Sequence, residues 1–148
     1  MASVHDVAAY ILEKSGPMTT MKLQKLCYYS QGWSLAWDSV PIFPERFQAW
    51  ANGPVCYELF DQHRGRFQVS AWSSGDSGKL TEDERETIDV VLASYGKLSG
   101  QALSDKTHAE RPWVETRAGL PHGAGSSKEI PLELMQDFFG GLIGAPTV

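Results

Sequence analysis

Residues 19–37, TTMKLQKLCYYSQGWSLAW, constrain the fold of this chain more than any other stretch. Leu23, Leu26, Ser30, Trp33 and Trp37 recur at spacings of 3, 4, 3 and 4, the period of one helix face. Cys27, Tyr29, Leu35 and Ala36 widen that stripe well beyond one side. A helix that is apolar nearly all round is enclosed nearly all round. The segment, capped by Thr19 or Thr20, therefore predicts a central helix, and the rest of the chain must supply its cover.

Ser3 with Asp6 forms a capping box ahead of Val4, Val7, Ala8, Ile11 and Leu12, and Ser15-Gly16-Pro17 stops that first helix. Pro41-Ile42-Phe43-Pro44 is an extended connection, because each proline disfavours helix in the residue before it. Phe47 to Ala51 reads as a short strand and Asn52-Gly53 as a turn. Pro54 suits the first position of a helix carrying Val55, Leu59 and Phe60. Arg66 to Ala71 alternates apolar and polar and is expected to pair with the first strand. Ser73 to Lys79 is expected to be a flexible polar loop. Thr81 with Glu84 caps a helix whose inner face is Ile88, Val91, Leu92 and Tyr95, ended by Gly96. Ser99 caps a shorter helix to about His108, which Pro112 interrupts. After a Gly- and Ser-rich loop over 119–129, Pro131 opens a last helix with Leu134, Met135, Phe138, Phe139 and Leu142 inward, and Gly140, Gly141, Gly144 and Pro146 make the tail frayed. The expected fold is mainly α: a compact single-domain helical bundle around the helix at about 19–37, with a small two- or three-stranded sheet. One domain spans 1–143, with a flexible tail over 144–148.

Charge and motifs narrow the function. The net charge of −5 repels phosphate backbones, which argues against a nucleic-acid partner, and gives no polybasic patch for a membrane. No apolar run approaches the roughly 20 residues that cross a bilayer, and the start lacks a signal peptide, so the cytoplasm is the expected address. Cys27 and Cys56 sit in apolar segments and read as reduced core thiols. There is no P-loop, GxGxxG, HExxH or GxSxG. The nearest approach to a catalytic or metal cluster is Asp105, His108 and Glu110. There Asp105 would orient His108 as a base, or all three would hold a metal. The plainer reading is favoured: His108 ends a short helix beside a core Trp113, with no catalytic residue, metal or cofactor. The first two helices are similar to a helix-turn-helix entry. Beyond Lys22 and Lys25, however, the second turns to Tyr28, Tyr29, Trp33 and Trp37, which suit a core or a protein partner rather than a DNA groove.

Two surfaces are candidates for binding a protein. Gln24, Tyr28 and Gln31 fall at i, i+4 and i+7 on one side of the central helix, away from the Leu23–Leu26–Trp33 stripe. Tyr brings large contact area with few rotors, and Gln brings paired donors and acceptors. The alternative is that Tyr28 packs under residues 41–44 and completes the core. The second surface is the acidic strip Glu82, Glu86 and Asp89, either a solvated helix side or a docking strip for a basic partner.

The run Met21–Trp33 (MKLQKLCYYSQGW), then Pro41-Ile42-Phe43, Ala49–Val55 (AWANGPV), and Leu103-Ser104 through Thr107-His108, Glu110 and Pro112-Trp113, resembles the Panacea antitoxin-domain family, the SocA-like and GepA-like phage-associated proteins of bacteria. The likeness runs from about Val4 to Phe139, with Cys27 where Leu is common and Ser30 where Ala is common. It implies an antitoxin that binds its cognate protein toxin, the product of a neighbouring gene, and blocks it. At least one relative acts instead as an adaptor that delivers its toxin to a cellular protease. The residues carrying the likeness, chiefly Leu23, Leu26, Trp33, Trp50, Gly53, Pro54, His108 and Trp113, look like framework, so the resemblance implies a function without locating a binding face.

Overall fold

The computed structural model describes residues 1–143; the tail expected over 144–148 lies outside the described residues. In chain order the elements are α1 (Val4–Ser15), β1 (Met18–Thr19), α2 (Thr20–Asp38), β2 (Phe47–Trp50), β3 (Gly53–Cys56), α3 (Tyr57–His63), β4 (Gln68–Val69), one 3-10 turn (Ser77–Lys79), α4 (Glu82–Tyr95), α5 (Gly100–His108), α6 (Arg111–Thr116) and α7 (Leu132–Ile143). The fold is mainly helical, with two small two-stranded sheets.

Helix α2 runs through the middle, with α1, α4, α5, α7 and β3 packed around it. Leu23, Leu26, Cys27, Tyr28, Tyr29 and Leu35 are all buried. The Phe139 ring of α7 lies edge-on to Tyr28 and Tyr29 and tilts against Trp33. It also presses on Gly32, where a Cβ would overlap the ring, so the α2–α7 crossing requires glycine there. Trp33 is less enclosed than the apolar stripe predicts: it is half-buried, and its indole Nε1 donates to the Tyr95 hydroxyl at 3.0 Å.

The caps form as the residue types dictate. Ser3 with Asp6 and Thr81 with Glu84 both make reciprocal capping boxes, and Thr19 and Ser99 accept from Lys22 and Ala102 N–H. Buried Asp6 goes further, accepting from the Asp76 N–H at 2.8 Å and so tying the 73–79 segment to α1. That segment is therefore anchored and partly helical, not the free polar loop expected.

The strand pairing differs from the sequence reading. Phe47–Trp50 pairs with Gly53–Cys56 in an antiparallel hairpin, so Gly53-Pro54-Val55 is strand and the helix begins at Tyr57, not at Pro54. Pro54 and Cys56 direct their backbone to the edge facing α2, and the missing proline N–H falls on that edge, where the ladder loses nothing. Gln68–Val69 pairs instead with Met18–Thr19. Gly140 and Gly141 lie inside α7, which runs to Ile143.

Candidate functional site

The polar face expected to meet a partner is interior. Gln24, Tyr28 and Gln31 are all buried, because the hairpin and residues 42–43 cover the side of α2 that the helical spacing leaves polar. Gln24 accepts from the Cys56 N–H at 2.8 Å and donates to the Cys56 carbonyl at 3.1 Å. Gln31 accepts from the Ile42 N–H and donates to the Phe43 carbonyl, both at 2.8 Å. Each amide thus supplies an extended segment with the two bonds a neighbouring strand would make. Tyr28 sits edge-on to Phe47, Tyr29 and Phe139, and its hydroxyl has no partner among the described residues. The i, i+4, i+7 spacing placed the three on one face; what covers that face depends on contacts distant in sequence.

Asp105, His108 and Glu110 do not converge. Asp105 is exposed and accepts from Gln101, while Glu110 is buried and accepts from the Tyr29 hydroxyl at 2.8 Å. Burial raises the pKa of Glu110, against the opposing bond from Tyr29. His108 stacks on Trp113 with ring centroids 4.2 Å apart, and its Nε2 has no partner among the described residues. Burial, then the neighbouring His122, lowers its pKa. Among the described residues no three His, Cys, Asp or Glu side chains gather in metal-ligating array. Trp113 is buried and its Nε1 donates to the Trp50 carbonyl at 2.8 Å, fastening α6 to the hairpin.

A cleft of about 990 Å³ opens between the start of α2, the hairpin, α3 and residues 125–127. Trp50, Val55, Tyr57 and Phe60 give it apolar walls, and Gln24, Lys25 and His63 its polar floor. Lys25 is 1% exposed, and its ammonium donates to the Pro54 carbonyl at 3.1 Å. Burial brings its pKa down to about 7. Gly53 makes this lysine's space: its φ is +113°, and a Cβ there would stand 2.7 Å from Lys25 Cε and 2.9 Å from Thr107 Oγ1. Because the Cys56 N–H fixes Gln24 Oε1 as acceptor, Gln24 Nε2 must donate to His63 Nε2, 3.0 Å away. His63 is thereby held neutral with its proton on Nδ1, and burial lowers its pKa. A buried lysine in a helix read as apolar all round is the feature the periodicity misses; Lys25 amid Leu23, Leu26 and Cys27 was its only signal.

A second feature faces outward. Trp37, at the end of α2, stacks on Trp33 at 4.8 Å and stays 42% exposed beside Val90, 47% exposed, on α4. Two adjoining hollows of about 340 and 210 Å³ share Trp37 and Val90, and Asp38, Asp83 and Glu86 line the larger. The acidic strip of Glu82, Glu86 and Asp89 is exposed along α4. Glu86 reaches the Trp37 hollow, whereas Asp89 accepts from the Tyr10 hydroxyl at 2.8 Å and helps hold α1 to α4. None of these acids is ion-paired among the described residues. No helix of the described residues is long and apolar enough to cross a membrane.

Comparison with known proteins adds the family. Residues 23–114 match the family described as "Antitoxin SocA-like, Panacea domain". The chain is similar to Antitoxin SocA of Caulobacter vibrioides (strain NA1000 / CB15N), 27% identical over 150 residues that cover 90% of this chain and 80% of the relative. No solved structure matches.

Proposed function

Because the chain belongs to the SocA-like antitoxin family built on the Panacea domain, we propose that it neutralises a protein toxin by direct binding through the Trp37–Val90 surface. The observation that carries this reading is an exposed aromatic beside an exposed valine, rimmed by three acids, Asp38, Asp83 and Glu86, that have no ion-pair partner among the described residues. Exposed apolar surface of this kind, with a charged rim, suits a partner that inserts one apolar side chain and surrounds it with Lys or Arg. The polar face of α2 cannot serve, since its side chains already bond the hairpin and residues 42–43. The family and the relative's name support an antitoxin role, and the surface supports contact with a basic partner.

Co-expression with the protein encoded by the adjacent gene tests the reading. The pair should copurify and growth arrest should be relieved, while Trp37→Ala combined with Glu86→Lys should abolish both without loss of folded protein. A toxin whose level is unchanged but whose activity is blocked points to occlusion. A toxin whose level falls points to delivery to a protease, which needs the same contact. Full neutralisation by the double variant would overturn the assignment of this surface.

A further inference from the structure

We propose that the cleft between α2, the β2–β3 hairpin and α3 binds a carboxylate carried on an apolar body, the carboxylate pairing with Lys25 and the body lying against Trp50, Tyr57 and Phe60. The inference does not rest on the toxin-binding reading, which concerns another face of the molecule.

Charge gives the first argument. The chain holds 18 Asp and Glu against 13 Lys and Arg, yet no acid lines this cleft. Lys25 has no carboxylate within ion-pair distance among the described residues. What faces it is the Pro54 carbonyl and Gly53 from β3, His63 from α3, and Thr107 and His108 from α5. Burial lowers the pKa of both histidines, and the lysine's charge adds a smaller push in the same direction. One of the three ammonium donors is used by the chain itself. A buried ammonium without a counter-ion is destabilising, and a bound anion is the partner its surroundings omit.

Construction gives the second. Gly53 adopts a left-handed conformation whose missing Cβ leaves room for the Lys25 stem, so the hairpin is shaped around the lysine. The cleft's size, about 990 Å³, lies at the upper end of ligand-binding pockets, and its walls are mostly apolar with a few polar groups, the usual composition of such sites. Gln48, Asn52 and Ser126 on its rim offer amide and hydroxyl groups suited to a peptide unit. The ligand is thus a free apolar acid or the C-terminal residue of another chain.

Calorimetric titration of the full chain tests this with three probes: N-acetyl-phenylalanine, its C-terminal amide, and an N-acetylated pentapeptide ending in Phe with a free carboxylate. The acid should bind, and the amide at least about tenfold more weakly. Titration near pH 8.5 in buffers of different ionisation heat should show uptake of close to one proton per ligand, and much less near pH 6.5. Lys25→Met should lose the preference for the acid. Should that variant fail to fold, the proton uptake of the unaltered chain decides alone. A pentapeptide about tenfold tighter than the single residue identifies a chain terminus as the ligand, and equal affinity identifies a free small acid. No binding of either acid at millimolar concentration, equal binding of acid and amide, or binding without proton uptake would overturn the proposal.

Discussion

Gln24 and Gln31 stand two turns apart on α2 and hold two different segments by the same two-ended grip, one on both backbone groups of Cys56 and the other on Ile42 and Phe43. Each replaces a strand-to-strand contact with one side chain from a helix. The hairpin edge and the extended 41–44 connection are thereby docked without further sheet.

Removing either amide strands a buried N–H and a buried carbonyl. Gln24→Ala and Gln31→Ala should each destabilise the fold by about 2–4 kcal/mol, with the loss set by unsatisfied backbone groups, not by lost volume. Chemical denaturation measures this directly. Glu at the same position retains the acceptor and loses the donor, so its loss should be at least comparable. A loss below about 0.5 kcal/mol for the alanine variants would mean that the grip is replaceable.

Tyr28 separates two contributions. Tyr28→Ala empties space against Phe47 and Phe139 and should cost about 3–5 kcal/mol. Tyr28→Phe keeps the packing and removes a buried hydroxyl that has no partner among the described residues, so its melting temperature should equal or exceed that of the unaltered protein. A clear fall for Tyr28→Phe would show that the hydroxyl is satisfied.

Lys25 gives stability an unusual pH dependence. Its pKa of about 7 in the fold lies below the ordinary 10.5, so between those values the unfolded chain binds the extra proton. Stability therefore rises with pH across that window, and the burden is fully present below pH 7. From pH 7 to 8.5 the gain should be on the order of 1–2 kcal/mol. At higher pH the buried thiols of Cys27 and Cys56, both raised in pKa by burial, oppose it. Lys25→Met should flatten the rise between pH 7 and 8.5 in a melting series, and an unchanged slope would assign the rise to another group.

Trp37 is half exposed at the end of its helix, so Trp37→Ala should lower the melting temperature by only a few degrees, consistent with a loss near 1 kcal/mol. Against a basic partner, Glu86→Lys and Asp83→Lys should chiefly slow association, with a weaker salt dependence than the unaltered protein shows. Stopped-flow rates at two ionic strengths check this; equal salt dependence in both proteins would place the contact elsewhere.

Local signals carried most of the fold. Capping residues at Ser3, Thr19, Thr81 and Ser99 set helix starts that the structure reproduces within a residue, because a cap is settled by neighbours three positions away. Pro54 misled, since a proline suits a first helical turn and an outward-facing strand edge equally well. The partner of Phe47–Trp50 was missed for a related reason: a two-residue turn at Ala51-Asn52 makes the nearer strand the better one. Of the candidate cleft only Lys25, a charge amid Leu23, Leu26 and Cys27, was legible. The rest depends on the hairpin folding back over Lys25, and nothing within helical reach of that residue announces the contact.

The Gly32–Phe139 crossing also orders events during synthesis. Helix α2 is made early, but the ring that seals Tyr28, Tyr29 and Trp33 belongs to residues about a hundred positions later. Until residues 132–143 have left the ribosome, the most aromatic helix in the chain lacks its lid and offers a sticky surface to chaperones and proteases. A nascent chain stalled before Phe139 should thus be a degradation substrate.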